Sequence, residues 1–129
     1  MIKKVIIALI FCTSLLSGCG KKIGENGELY VYNAGEYIDE SLITAFEQET
    51  GIKVTYDLFE SNEEMYLVIE AGGVNYDVVC PSDYMIKKMI DHNLLSELDF
   101  EKMPNVKNIG KKYMDMAKSF DPENKYAVP

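Results

Sequence analysis

The sequence predicts an α/β fold with a mainly parallel sheet and flanking helices. Strand-like and helix-like segments alternate as β-α-β-α-β-α between Leu29 and His92. The connections are short, which suits right-handed crossover units. Each helical segment places its apolar residues at helical spacing and ends at Gly or Asn, residues that stop helices.

Leu29 to Asn33 mixes apolar and aromatic residues and reads as the first strand. A helix then begins near Asp39, with Leu42, Ile43, Ala45 and Phe46 on one stripe and Gly51 as its stop. Ile52 to Leu58, rich in β-branched residues, is the second strand. Ser61-Asn62-Glu63-Glu64 places Ser and Glu three apart, a capping box, and Met65, Val68 and Ile69 form the inner face of the helix it starts. Gly72-Gly73 ends that helix, and Tyr76 to Cys80 is the third strand. Pro81-Ser82 turns into a third helix with Met85, Ile86, Met89 and Ile90 facing inward, closed by His92-Asn93. The pattern weakens after Leu94. Leu94 to Leu98 reads as a short strand or turn, Met103 to Met116 as an irregular helix, Asp121 to Asn124 as a turn, and Lys125 to Val128 as a further strand-like run.

Residues 1–18 precede this fold and read as a secretory signal peptide. Lys3 and Lys4 supply its positive start, and Val5 to Leu16 its apolar core. That core is shorter than the roughly 20 residues needed to span a bilayer. It closes with Leu16-Ser17-Gly18-Cys19, which resembles the lipobox of bacterial lipoproteins. There the signal is cut before a Cys whose thiol forms a thioether to diacylglycerol. Cys19 is therefore the expected lipidation site, residues 19–28 the lipidated tether, and residues 29–129 the folded part. This predicts an extracytoplasmic protein anchored to the cell membrane, in a periplasm or on the outer cell surface.

The 13 basic side chains less Lys3 and Lys4 leave 11 against 21 acidic ones, a formal charge of −10. Such a surface argues against nucleic acid, a polyanion, and is compatible with cationic ligands. Of the cysteines, Cys12 leaves with the signal and Cys19 is committed to lipid, so Cys80 has no partner for an internal disulfide. Its place in Val78-Val79-Cys80 suggests a buried small hydrophobe.

In an open parallel sheet, ligands bind beyond the carboxyl ends of the strands. The loops after the first and third strands carry Glu36-Tyr37 and Ser82-Asp83-Tyr84. They become neighbours if the second strand packs on the far side of the first. Both lead into helix N-termini, which favour anions unless nearby acids offset the dipole. Here Asp39, Glu40 and Asp83 supply those acids. Carboxylates and aromatic faces together suit a polyamine, whose ammonium groups need charge and whose methylenes need apolar cover. The same acids serve equally as helix stabilisers, Ser82 as an N-cap, and Tyr37 and Tyr84 as packing residues.

At these residues the chain resembles the spermidine/putrescine-binding proteins of ABC transporters. The matching stretches are Tyr32-Asn33 with Glu36-Tyr37, Phe46 with Glu49 to Val54, Glu60 to Glu63 with Met65-Tyr66, Tyr76 to Val79 with Pro81-Ser82, and Phe120-Asp121-Pro122 with Tyr126. The resemblance implies one lobe of a type II periplasmic-binding-protein fold, a two-lobed clamp that closes on its ligand. It carries polyamine contact onto Glu36, Tyr37, Ser82 and Tyr84, with Asp83 beside them, and delivery to an ABC transporter permease. Glu36 would pair with an ammonium group. In this family a Trp usually follows the Asn of the first loop, and here that residue is Ala34. Family members are longer, and their second lobe would fall beyond Pro129.

Two other readings keep the same fold: a binding protein for another small solute, and a lipoprotein remnant that binds nothing. An enzyme has little support. Gly72-Gly73 follows a helix and not a strand, so it is no phosphate loop, and there is no Gly-x-Ser-x-Gly elbow. The sole histidine, His92, is placed at a helix end, where a surface position is expected. With one His and one free Cys a zinc site is not expected, and neither is a cofactor.

Overall fold

A computed structural model describes residues 22–35 and 37–129. Glu36 and residues 1–21, which include the signal segment and Cys19, lie outside the described residues. The elements run β1 (Glu28–Ala34), α1 (Ser41–Thr50), β2 (Lys53–Phe59), α2 (Asn62–Ala71), β3 (Val78–Cys80), α3 (Asp83–Asp91), two short 3-10 turns (Phe100–Lys102 and Pro104–Asn108) and α4 (Lys111–Ala117). The three strands pair in the order β2-β1-β3, all parallel. Tyr32 stands opposite Asp57 on one side and Val79 on the other. The second strand does pack on the far side of the first, so the loops after β1 and β3 leave the sheet side by side.

The local chemistry explains most element ends. Ser61 accepts a hydrogen bond from the Glu64 N–H at 3.2 Å. The Glu64 carboxylate reaches back to the Glu60 N–H at 3.4 Å, one residue before the cap. Gly51 and Gly72 end α1 and α2 in the left-handed region, at φ 74° and 67°, where a side chain would strain the backbone. Asn93 takes a similar conformation after α3, with φ 57°.

The core lies where α2 and α3 cover the sheet. Met65, Met85 and Met89 are fully buried, with Tyr32, Phe59 and Tyr66 around them. Ala34, Val68, Ile69 and Val79 close its margins. Tyr32 holds two aromatic neighbours: Phe59 edge-on at 5.2 Å and Tyr76 stacked at 4.4 Å. Both geometries are favoured for quadrupolar rings.

Three expectations need correcting. The third strand starts at Val78 and not Tyr76. The Asp77 side chain accepts the Tyr30 N–H at 2.8 Å while the Asp77 N–H donates to the Tyr30 carbonyl at 2.9 Å, so Asp77 satisfies Tyr30 without continuing the ladder. Cys80 is exposed, not buried, because it lies on an edge strand whose outer side is open. Lys125 to Val128 forms no strand. The buried Asp121 carboxylate takes the Tyr126 and Ala127 N–H groups at 2.7 and 3.1 Å, and the Lys125 carbonyl accepts the Leu98 N–H at 2.7 Å. The apolar stripe of α1 is present, but none of its residues is buried, and Leu42 and Phe46 stay exposed.

The segment before β1 is a compact turn. The Gly24 and Asn26 N–H groups both donate to the Gly51 carbonyl, at 2.9 and 3.1 Å. The Asn26 amide donates to the Thr50 carbonyl at 2.6 Å, and the Lys53 N–H to the Gly27 carbonyl at 2.9 Å. Residues expected to be tether are thus bound to the α1–β2 turn.

Candidate functional site

The carboxyl ends of the parallel strands lead into the N-termini of the three major helices. At α2 and α3 these N-termini are joined by side chains. Asn62 opens α2. Its amide donates to the Ser82 hydroxyl at 3.1 Å, and its carbonyl accepts the Ser82 N–H at 2.9 Å. Ser82 holds the N-cap position of α3, yet its side chain makes no capping bond. Its hydroxyl is turned to the neighbouring helix instead.

Tyr84 adds a second link, donating its phenol proton to Glu63 at 3.0 Å. Loss of solvent around the phenol, then the Glu63 carboxylate, push its pKa above the ordinary value. The ring is 53 % exposed, so it presents an aromatic face beside a carboxylate. An exposed face next to a fixed carboxylate is a pair that suits an ammonium group flanked by methylenes.

Tyr37 and Asp83 lie on another side of the same region. Together they line an open trough of about 680 Å³ that runs along β3, with Val78, Cys80, Leu95 and Tyr126 among its walls. Tyr37 is 75 % exposed. Asp83 accepts the Tyr84 N–H at 2.7 Å, a local bond within the first turn of α3. Asp39 likewise accepts the Ser41 N–H at 2.9 Å, and its bonding to Ser41 holds it below the ordinary carboxylate range. Each of these carboxylates thus also bonds a backbone N–H at its own helix start.

The expected residues therefore fall into two groups. Ser82 and Tyr84 meet Asn62 and Glu63 at the α2–α3 junction, while Tyr37 and Asp83 share the trough. Glu36 lies outside the described residues. Sequence reasoning missed Asn62 and Glu63 as site residues because they lie inside the capping box, where local chemistry already accounted for them. It also missed Asn33, which is 5 % exposed. Asn33 holds the end of β1 by donating to the Tyr56 hydroxyl at 2.8 Å and accepting the Ala34 N–H at 2.9 Å. Among the described residues no group of three or more His, Cys, Asp or Glu side chains is placed to hold a metal ion. No helix among them is long and apolar enough to cross a membrane.

Residues 32–129 match the family model for bacterial extracellular solute-binding proteins. The chain belongs to this family. Over 126 residues it is 37 % identical to the putrescine-binding periplasmic protein SpuD of Pseudomonas aeruginosa, covering 98 % of this chain and 34 % of that protein. Its fold superposes on a spermidine/putrescine ABC transporter protein from Listeria monocytogenes with a TM-score of 0.75 and 54 % identity, over 79 % of this chain and 31 % of the other. The TpPotD lipoprotein of Treponema pallidum gives a TM-score of 0.74 at 37 % identity, over 79 % and 32 % of the two chains. The chain thus spans about a third of the length of these solute-binding relatives.

Proposed function

We propose that the protein carrying this chain captures polyamines outside the cytoplasm and delivers them to the permease of an ABC importer. It acts by binding and not by catalysis. Spermidine and putrescine are the solutes named for its relatives, and the chemistry at the strand ends fits them. The observation that carries the reading is the Glu63–Tyr84 pair at the α2–α3 junction, held beside Ser82. Tyr37 and Asp83 in the adjoining trough, and Glu36 in the same loop as Tyr37, extend the set of acids and rings. Glu36 and Glu63 would pair with ammonium groups, Tyr37 and Tyr84 would cover methylenes, and Ser82 would accept a hydrogen bond. Residues 1–18 would direct export, and diacylglycerol on Cys19 would anchor residues 29–129 outside the membrane. The lipoprotein from Treponema pallidum supports that arrangement.

Calorimetric titration of the mature protein with spermidine and putrescine tests the reading. Glu36→Gln and Glu63→Gln should each weaken binding by about tenfold or more, as expected for losing a charge-assisted hydrogen bond. Tyr84→Phe keeps the ring and should cost less than Tyr84→Ala. No binding of either polyamine at millimolar concentration would reject the proposal.

One observation favours a second reading, that the lobe takes a different small solute. Ala34 ends β1 and packs against the core margin, where the resembled family carries Trp. If Ala34→Trp tightens spermidine binding, the site is a polyamine site short of one wall. If it abolishes binding of a solute the wild type holds, the small residue is part of that solute's pocket.

A further inference from the structure

Asp121 is the only buried acid among the described residues, 1 % exposed in the turn that follows α4. One of its carboxylate oxygens accepts the Tyr126 and Ala127 N–H groups. Its own N–H donates to the Ala117 carbonyl at 2.8 Å, and its carbonyl accepts the Asn124 N–H at 2.9 Å. Among the described residues no cation pairs with it. The lysines that flank it in sequence are engaged elsewhere, Lys118 with Asp115 at 3.0 Å, and Lys125 with Glu123 at 2.8 Å and Glu97 at 3.6 Å. Taking a carboxylate out of water is costly, and two backbone dipoles offset only part of its charge.

Tyr126 and Ala127, whose N–H groups hold this carboxylate, also line the open trough along β3. The charge therefore sits one peptide layer behind the trough wall. The charged side chains that line the trough are Asp77, Asp83 and Glu97, all acids, and no lysine, arginine or histidine among the described residues joins them. All three are exposed, and Asp77 is bonded to the Tyr30 N–H and Glu97 paired with Lys125. Mobile ions screen such exposed charges, whereas the field of Asp121 crosses low-dielectric protein. Resting on the polyamine reading above, we propose that Asp121 is a specificity-determining residue whose buried charge grades binding in the trough by ligand charge. Spermidine carries three ammonium groups and putrescine two. A polyamine lying along the trough gains from Asp121 through each ammonium group held there, without touching the carboxylate.

Calorimetric titration of the mature protein with both polyamines, at about 0.05 and 0.5 M salt, tests this. Asp121→Asn removes the charge and keeps an acceptor for the two N–H groups. It should weaken spermidine binding about tenfold and putrescine binding about threefold, and the loss should persist at high salt. Asp83→Asn, at an exposed acid of the same trough, should lose less at high salt than at low. A purely structural role for Asp121 predicts a lower denaturation midpoint with both polyamines weakened by the same factor. That result, unchanged binding, or a loss that vanishes at high salt would overturn the proposal. Ser96→Lys gives a check that leaves the turn alone, since Ser96 is an exposed residue of the trough wall. The added cation should lower the ratio of spermidine to putrescine affinity by about threefold or more. An unchanged ratio would overturn the proposal even where Asp121→Asn fails to fold. Wild-type protein that binds neither polyamine would reject the polyamine reading itself, and the inference with it.

Discussion

Tyr76 occupies the bend that leads into β3, stacked on Tyr32 and donating its phenol proton to Asp57 at 2.8 Å. Burial of the phenol, followed by the Asp57 hydrogen bond, pushes its pKa up to about 12. A folded-state value above the ordinary phenol value of about 10 favours the protonated form in the fold. Its contribution to stability is complete below pH about 10 and is lost as pH rises through about 12. Absorbance titration of tyrosinate should show a transition near pH 12 that disappears in Tyr76→Phe. The pair Asn62–Ser82 gives a second residue-scale prediction. Asn62→Ala removes both bonds that tie α2 to α3, so a urea denaturation midpoint should report a loss of about 1–2 kcal/mol. Asn62→Asp, which keeps the acceptor for the Ser82 N–H, should lose less. Neither partnership was legible in the sequence. Residues 62 and 82 pair across 20 positions, and Tyr76 with Asp57 across 19. Periodicity and capping rules describe neighbours within one element, whereas these contacts exist only once the elements are packed.

The helices differ in what their apolar residues do. Met89 in α3 is fully buried against the sheet, so Met89→Ala should destabilise the protein by about 2–5 kcal/mol through lost contacts and the cavity left behind. Leu42 in α1 is 57 % exposed, and Leu42→Ser should change stability by no more than about 0.5 kcal/mol. Chemical denaturation of the two variants checks both. The sequence marked these faces alike, because helical spacing reports that a stripe exists and not whether something covers it. Tyr66 shows the converse. It lies outside the apolar face that the spacing predicts for α2 yet is 4 % exposed, with its hydroxyl bonded to Glu70 at 2.7 Å and 3.0 Å from His92 Nδ1, and Lys88 over its ring at 3.7 Å. A polar tip that reaches the surface lets an aromatic body join the core. Capping signals predict element ends directly, since Ser61, Gly51 and Gly72 act through bonds within a turn or two of themselves.

At the scale of the whole molecule, the β-α-β order followed from alternation and short connections, whereas the position of β1 between β2 and β3 was one conditional arrangement that the structure adopts. With that order, the loops after β1 and β3 face one another, as the conditional reading expected. What alternation could not supply was the fate of irregular backbone. The Asp121 carboxylate, the Asp77 side chain and the turn at residues 22–27 all take bonds that a strand or a spacer would have left to other groups.

The central place of β1 also sets an order of events. A chain is made from its N-terminus, so β1 is complete before either neighbour exists. Its partner residues lie 25 positions away in β2, at Lys53 from Glu28, and 47 away where Asp77 meets Tyr30. Parallel pairing over such separations is slow, because loop closure precedes any reward in contacts. During that interval the middle of the future sheet is bare on both edges and prone to pair with other chains. Folding of this lobe thus has a vulnerable period whose end is set by the arrival of residue 80, and strand β1 is where a chaperone or an aggregate would take hold.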